Sequence, residues 1–235
     1  MTRDNQPEIL ECDGVPEEVV ERAYRDLARI HNWLGDTRFI IDAIRRNSLP
    51  HRQILDVGCG TGLVAGEVSR KLKTAVIGVD IKRYSSIATP VPILQVNALR
   101  EPLPSADVAF SMHLGHHLSE ADLEALILNV GRSCRRFILL DLVRHWLPLI
   151  LFRLFIAPLV CPVNAEDGQR SIRRSYTPVE LRRVTASALA GTGSSFRLSV
   201  APFNNRQVID ISYDNAAVRR KLEMRHESDV VNACR

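Results

Sequence analysis

Leu55-Asp-Val-Gly-Cys-Gly-Thr-Gly62 follows a short apolar run and precedes a stretch with helical periodicity. Glycine at 58, 60 and 62 lets the backbone approach a ligand with no Cβ in the way. The start of the next helix then offers N–H groups to an anionic or polar partner. Ile54–Val57 reads as a buried strand, Leu63–Leu72 as a helix and Ala75–Asp80 as a second strand. Strand, helix and strand within about thirty residues are the βαβ signature of a parallel sheet.

The rest of the chain extends that pattern. Val19, Ala23, Leu27, Ile30 and Leu34 recur at helical spacing, Gly35 interrupts them, and Phe39, Ile40, Ala43 and Ile44 resume, so two helices are expected between Pro16 and Asn47. Further strands are expected at 93–96, 107–112, 137–142, 196–200 and 207–213. A helix is expected from Ser119 to Val130, opened by a capping box at Ser119 and Asp122. The expected organisation is an N-terminal helical cap (1–50), an α/β domain (51–214) with a hydrophobic insert at 145–175, and a charged C-terminal tail or frayed helix (215–235).

A nicotinamide dinucleotide is disfavoured, because its fingerprint needs a third glycine where Leu63 stands. Asp80 ends the second strand twenty residues beyond Gly60, where a carboxylate accepts hydrogen bonds from ribose hydroxyls. With Asp80, the 55–62 segment resembles the first motif of class I S-adenosylmethionine-dependent methyltransferases, over roughly 34–213. The resemblance implies a Rossmann-like α/β fold: a mainly parallel seven-stranded sheet with helices on both faces. It implies S-adenosyl-L-methionine as cofactor, with Asp56 near its ammonium, Gly58, Cys59, Gly60 and Gly62 around its methionine end, and Asp80 and Ile81 at its ribose. Asn97 and Ala98 would meet adenine, and Met112 would line the site. An asparagine oxygen can accept from the adenine amino group, although without charge assistance; Asn97 also suits an ordinary turn.

Ser111-Met-His-Leu-Gly-His-His-Leu118 leaves the strand beginning near Asp107, at the sheet edge where ligands bind. His116 or His117 could act as general base near neutral pH, or serve packing. No metal is expected, since no acid cluster accompanies the histidines in sequence. Asp141-Leu-Val-Arg144 ends the next strand, and Asp167-Gly through Tyr176-Thr-Pro178 follows. Together these are similar to a subgroup of small bacterial methyltransferases found beside type III polyketide synthases; where relatives often carry a histidine before the Asp-Gly pair, this chain has Glu166. The resemblance implies a phenolic or lipid-like polyketide acceptor of secondary metabolism, with His116, His117, Asp141 and Tyr176 as candidate catalytic or pocket residues. RNA or protein methylation, or a noncatalytic docking role, are the alternatives.

Residues 146–163 form the longest apolar run, but Pro148, Pro158, Pro162 and Arg153 interrupt it, so it does not suit a membrane span of about 20 unbroken residues. It fits a hydrophobic wall over an acceptor pocket, a surface for transient membrane contact, or core or dimer packing. A net charge of +4 is weak for a protein whose affinity rests on many phosphate contacts. The arginines at 170, 173, 174, 182 and 183 are the densest basic cluster, with no aromatic interleaving for nucleic acid. Five scattered cysteines without a CxxC pair describe neither a disulfide framework nor a zinc knuckle. The N-terminal residues lack the apolar stretch of a secretory signal, and a cytoplasmic monomer or homodimer is expected.

Overall fold

The computed structural model describes residues 1–46, 51–83 and 87–233, the side chains of 225–233 excepted. Asn47, the expected end of the second helix, residues 48–50 of the expected helical cap, and Cys234 lie outside the described residues.

Among the described residues seven strands form one sheet: β1 (Gln53–Val57), β2 (Ala75–Asp80), β3 (Ile93–Gln95), β4 (Ala106–Met112), β5 (Cys134–Leu142), β6 (Ser195–Val200) and β7 (Arg206–Ser212), in the order β3-β2-β1-β4-β5-β7-β6. β1 to β5 run parallel, while β7 lies antiparallel between β5 and β6. The strand order reverses between β1 and β4, so a crevice opens beyond their C-terminal ends.

Alternation along the strands sends side chains to two apolar layers. Ile54, Phe110 and Ile138 meet Ile40 and Ile44 of α2 (Asp36–Arg45) and Ala65 and Val68 of α3 (Leu63–Leu72). Leu55, Ala109 and Leu139 meet Leu123 and Leu126 of α4 (Glu120–Ser133) and Leu181 and Val184 of α7 (Pro178–Leu189). Burial on both faces explains why β1 and β5 read as continuous apolar runs. Ser119 caps α4 by accepting from the Asp122 amide, and Thr177 with Glu180 forms a capping box at α7.

Ahead of β1, α1 (Glu17–Trp33) and α2 cover the crevice, and residues 1–12 run across it as a strap. The apolar run beyond β5 is α5 (Trp146–Leu151, with Pro148 in its first turn), a π-type turn over Phe152–Ile156 and a 3-10 turn over Ala157–Leu159 that contains Pro158; Pro162 then opens α6 (Pro162–Arg174). Phe152 points inward, and a Cβ on Gly168 would overlap its ring. Trp146, Leu154, Phe155 and Leu159 are exposed. The expected tail is the helix α8 (Asn215–Ala233), whose first turns dock: Val218 is buried, and the Asn215 side-chain amide donates to the Gly131 and Cys134 carbonyls. Among the described residues no helix is long and apolar enough to cross a membrane.

Candidate active site

A cavity of about 430 Å³ lies at the C-terminal ends of β1, β2 and β4. Asp56, Gly58, Cys59, Asp80, Ile81, Met112, His116 and His117 border it; Gly60, Gly62, Asn97, Ala98, Asp141 and Tyr176 do not.

At one end, β1 delivers the glycine turn. Gly60, at φ +54°, donates its N–H to Asp80 Oδ2 at 2.8 Å, and Lys82 N–H donates to Asp80 Oδ1 at 2.9 Å. A Cβ at Gly60 would overlap the Tyr24 ring of α1, so the backbone conformation and the close approach both require glycine there. Asp56 is 3% exposed. Desolvation, with the Asp80 carboxylate nearby, pushes its carboxyl well above the ordinary range. Desolvation raises Asp80 too, although backbone N–H donors oppose it. Two cavity-facing carboxylates that repel each other fit a ligand carrying positive charge and ribose hydroxyls, as S-adenosylmethionine does. The cofactor would be held by Asp56 toward its ammonium and by Asp80 toward its ribose. Asn97 is occupied locally: its Oδ1 accepts from Leu99 N–H at 3.0 Å and its own N–H donates to Glu101 Oε1 at 2.7 Å.

At the other end lies a dense charged cluster. His116, 2% exposed, faces Asp141 Oδ1 through Nδ1 at 2.7 Å and Glu8 Oε1 through Nε2 at 3.4 Å. Burial opposes charge on this ring, but Asp141 and then Glu8 push its pKa up to about 10. The two acids thus favour the charged form of the His116 ring. His117 Nδ1 lies 2.5 Å from Glu11 Oε1, and Arg174 reaches the other oxygen of Glu11, also at 2.5 Å. Burial would raise Glu8 and Glu11, yet hydrogen bonds from His116 and His117 hold both below the usual carboxylate range.

His113 has φ +56°, a sparsely populated conformation for a residue with a Cβ. Its ring stacks on His31 at 4.5 Å between centroids and lies 3.4 Å from Asp36 Oδ2. Burial alone would raise Asp36, but His113 and His31 hold it low, and Arg206 also pairs with it. Tyr176 stands behind the wall: its hydroxyl donates to the Leu118 carbonyl at 2.9 Å, and the Arg3 guanidinium lies 3.9 Å above its ring.

The strap is anchored along its length. Arg3 donates to the Arg174 and Leu118 carbonyls, Ser171 Oγ donates to Glu8 at 2.7 Å, Asp167 accepts from Ile9 and Leu10 N–H, and Lys82 donates to the Glu11 carbonyl. Sequence reasoning did not single out Glu8, Glu11, His31, Asp36 or Tyr24. The Asp167–Ser171 pair within the subgroup-like series is the one signal that points toward the strap.

Residues 54–136 match the family model of a methyltransferase domain. No curated protein matches the sequence. Among solved structures, the plantazolicin methyltransferase BpumL in complex with SAH superposes at TM-score 0.60 with 11% identity, covering 81% of this chain and 90% of that one. Human N-acetylserotonin methyltransferase in complex with SAM gives 0.57 and 17% identity, covering 89% and 63%. An O-methyltransferase-like protein of Nostoc punctiforme gives 0.52 and 16%, covering 76% and 56%, so this chain spans little more than half of its length. The family match covers the glycine turn and the strands from β1 to the start of β5, and the solved structures share the Rossmann-like fold of the sheet.

Proposed function

We propose that this protein transfers the methyl group of S-adenosylmethionine to the oxygen of a small hydrophobic acceptor, a phenol of aromatic or lipid-like polyketide type. The observation that carries the reading is one cavity with two unlike ends. A glycine turn with two acids stands at one, and a buried histidine–carboxylate cluster stands beside apolar walls from Leu27, Ile30, Leu114 and Phe152 at the other.

The sulfonium supplies an activated methyl group, so the chain's own task is to hold an acceptor in line and manage its proton. His116, charged between Asp141 and Glu8, is suited to hold an acceptor oxygen as its negative charge develops. His117, beside Glu11 and bordering the cavity, is suited to take the proton. Asp141 and Tyr176 act as positioning residues: one orients His116, and the other pins the Leu118 carbonyl just beyond the histidine turn.

The arginine cluster gives little support to an RNA acceptor, since Arg174 is buried on Glu11, Arg170 pairs with Glu166 and Arg183 with Glu120. The exposed Trp146, Leu154, Phe155 and Leu159 adjoin Phe152 of the cavity wall, which favours transient contact with a membrane surface and a lipid-like acceptor arriving there.

The test is incubation with S-adenosylmethionine and a panel of phenols and quinols, read by mass spectrometry for methylated product and S-adenosylhomocysteine. Turnover of phenols that is insensitive to added salt is expected. Turnover only on RNA or protein, falling steeply with salt, would overturn the reading.

A further inference from the structure

Between His113 and His117 the chain offers three histidines and no acid, but the fold brings acids to them from remote segments. Glu8 Oε1 lies 3.4 Å from His116 Nε2, and Glu8 Oε2 lies 3.9 Å from His117 Nε2. One ligand atom from each of the three lies within 4.8 Å of the other two. A tetrahedral cation with bonds of about 2.0–2.1 Å spaces its ligand atoms by roughly 3.3–3.4 Å, so the group is close to that size already.

The opposite nitrogen of each ring is held by a different carboxylate: Asp141 at 2.7 Å from His116 Nδ1, and Glu11 at 2.5 Å from His117 Nδ1. Such outer carboxylates fix the orientation of ligating imidazoles and raise their basicity. Glu8 is itself oriented by Ser171 Oγ at 2.7 Å, with Arg174 Nη1 3.9 Å away. All three residues border the cavity, which leaves a further coordination position facing it.

We propose that Glu8, His116 and His117 form a three-ligand site for a divalent cation of the zinc class, open on its fourth side to the acceptor cavity; the cation displaces the proton that His116 Nε2 otherwise shares with Glu8, which leaves to solvent. Two imidazoles and one carboxylate suit such an ion better than magnesium or calcium, which favour oxygen ligands. A second group, His31, Asp36 and His113, also clusters within 4.8 Å. There Asp36 is already paired with Arg206, and His113 Nδ1 stands 3.9 Å from Asp141, too far for the supporting hydrogen bond. That the acceptor's oxygen would occupy the open position rests on the phenol reading above; binding of the cation does not, and with the cation in place it, rather than His116, would hold that oxygen, while His117 would be a ligand rather than a base.

The experiment takes the full chain, stripped with a chelator and dialysed, and titrates it with zinc chloride by calorimetry and with cobalt chloride by visible absorption. One cation per chain is expected, with cobalt bands of a four- or five-coordinate nitrogen–oxygen site and no thiolate charge-transfer band. Glu8→Gln and His117→Ala should each weaken binding tenfold or more, and His31→Ala should leave it unchanged. Absence of stoichiometric binding would overturn the proposal, as would thiolate bands, binding untouched by Glu8→Gln and His117→Ala, or loss in His31→Ala alone. The wild-type cobalt spectrum remains decisive if a variant fails to fold. S-adenosylmethionine affinity on the same samples separates the two readings: donor binding without cation binding removes only the cation site, and cation binding without donor binding removes only the methyl-transfer reading.

Discussion

The two ends of the cavity are built in opposite ways. The donor end is local: Asp56, the glycines and Asp80 lie within 25 residues, carried on one βαβ unit, with two acids facing each other. The acceptor end is assembled from distant parts, with Glu8 and Glu11 from the strap, His31 and Asp36 from α1 and α2, His113 to His117 from the end of β4, Asp141 from β5 and Arg174 from α6. There basic and acidic side chains alternate in contact. The donor end therefore awaits positive charge from its ligand, while the acids of the acceptor end already have basic partners from other segments and depend on those segments being in place.

The largest expected effect breaks the acceptor end through stability. Asp141→Asn removes the closest carboxylate partner of a buried imidazolium and should destabilise the protein by about 3–5 kcal/mol, measured by denaturant unfolding. His116 also gives this end a pH signature. Its folded pKa of about 10 lies above the ordinary value of 6.5, so its contribution is fully present below about pH 6.5 and is lost as pH rises through 10. Unfolding measured from pH 6 to 10 should show that decline in the wild type and a flatter profile in His116→Gln.

The donor end breaks through binding. Asp80→Ala should cost about 2–3 kcal/mol of S-adenosylmethionine affinity, the size of lost charge-assisted hydrogen bonds, with the fold retained by circular dichroism. Gly60→Ala should lower the melting temperature, because the new Cβ overlaps Tyr24 at a left-handed φ, costing about 1–3 kcal/mol. The smallest effect is expected from Asn97→Ala. Its side chain closes a turn onto Leu99 N–H, so about 1 kcal/mol of stability should go, and donor affinity measured alongside reports whether adenine also depends on it.

The same contrast explains what could be read from the sequence. Strand, glycine turn, helix and Asp80 sit close enough in the chain for spacing to carry the chemistry, and burial on both faces gives β1 and β5 plain apolar runs. The docking of α8 was less legible, because Asn215 and Val218 make their contacts with α4 and β5 only after folding. The strap was not legible at all. Glu8 and Glu11 are two ordinary acids in a polar segment, and nothing in their neighbourhood signals His116 and His117, more than a hundred residues away. His116 and His117 were candidate bases because an isolated imidazole titrates near neutral pH; Asp141 and Glu8, both remote in sequence, push the His116 ring upward.

The central claim is that the glycine turn with Asp56 and Asp80 binds S-adenosylmethionine. Calorimetric titration of the wild type and Asp80→Ala with S-adenosylmethionine and S-adenosylhomocysteine tests it most directly. Saturable one-site binding that Asp80→Ala weakens roughly 30- to 160-fold is the predicted result. A folded wild type that binds neither ligand, or equal affinity in the two proteins, would contradict it.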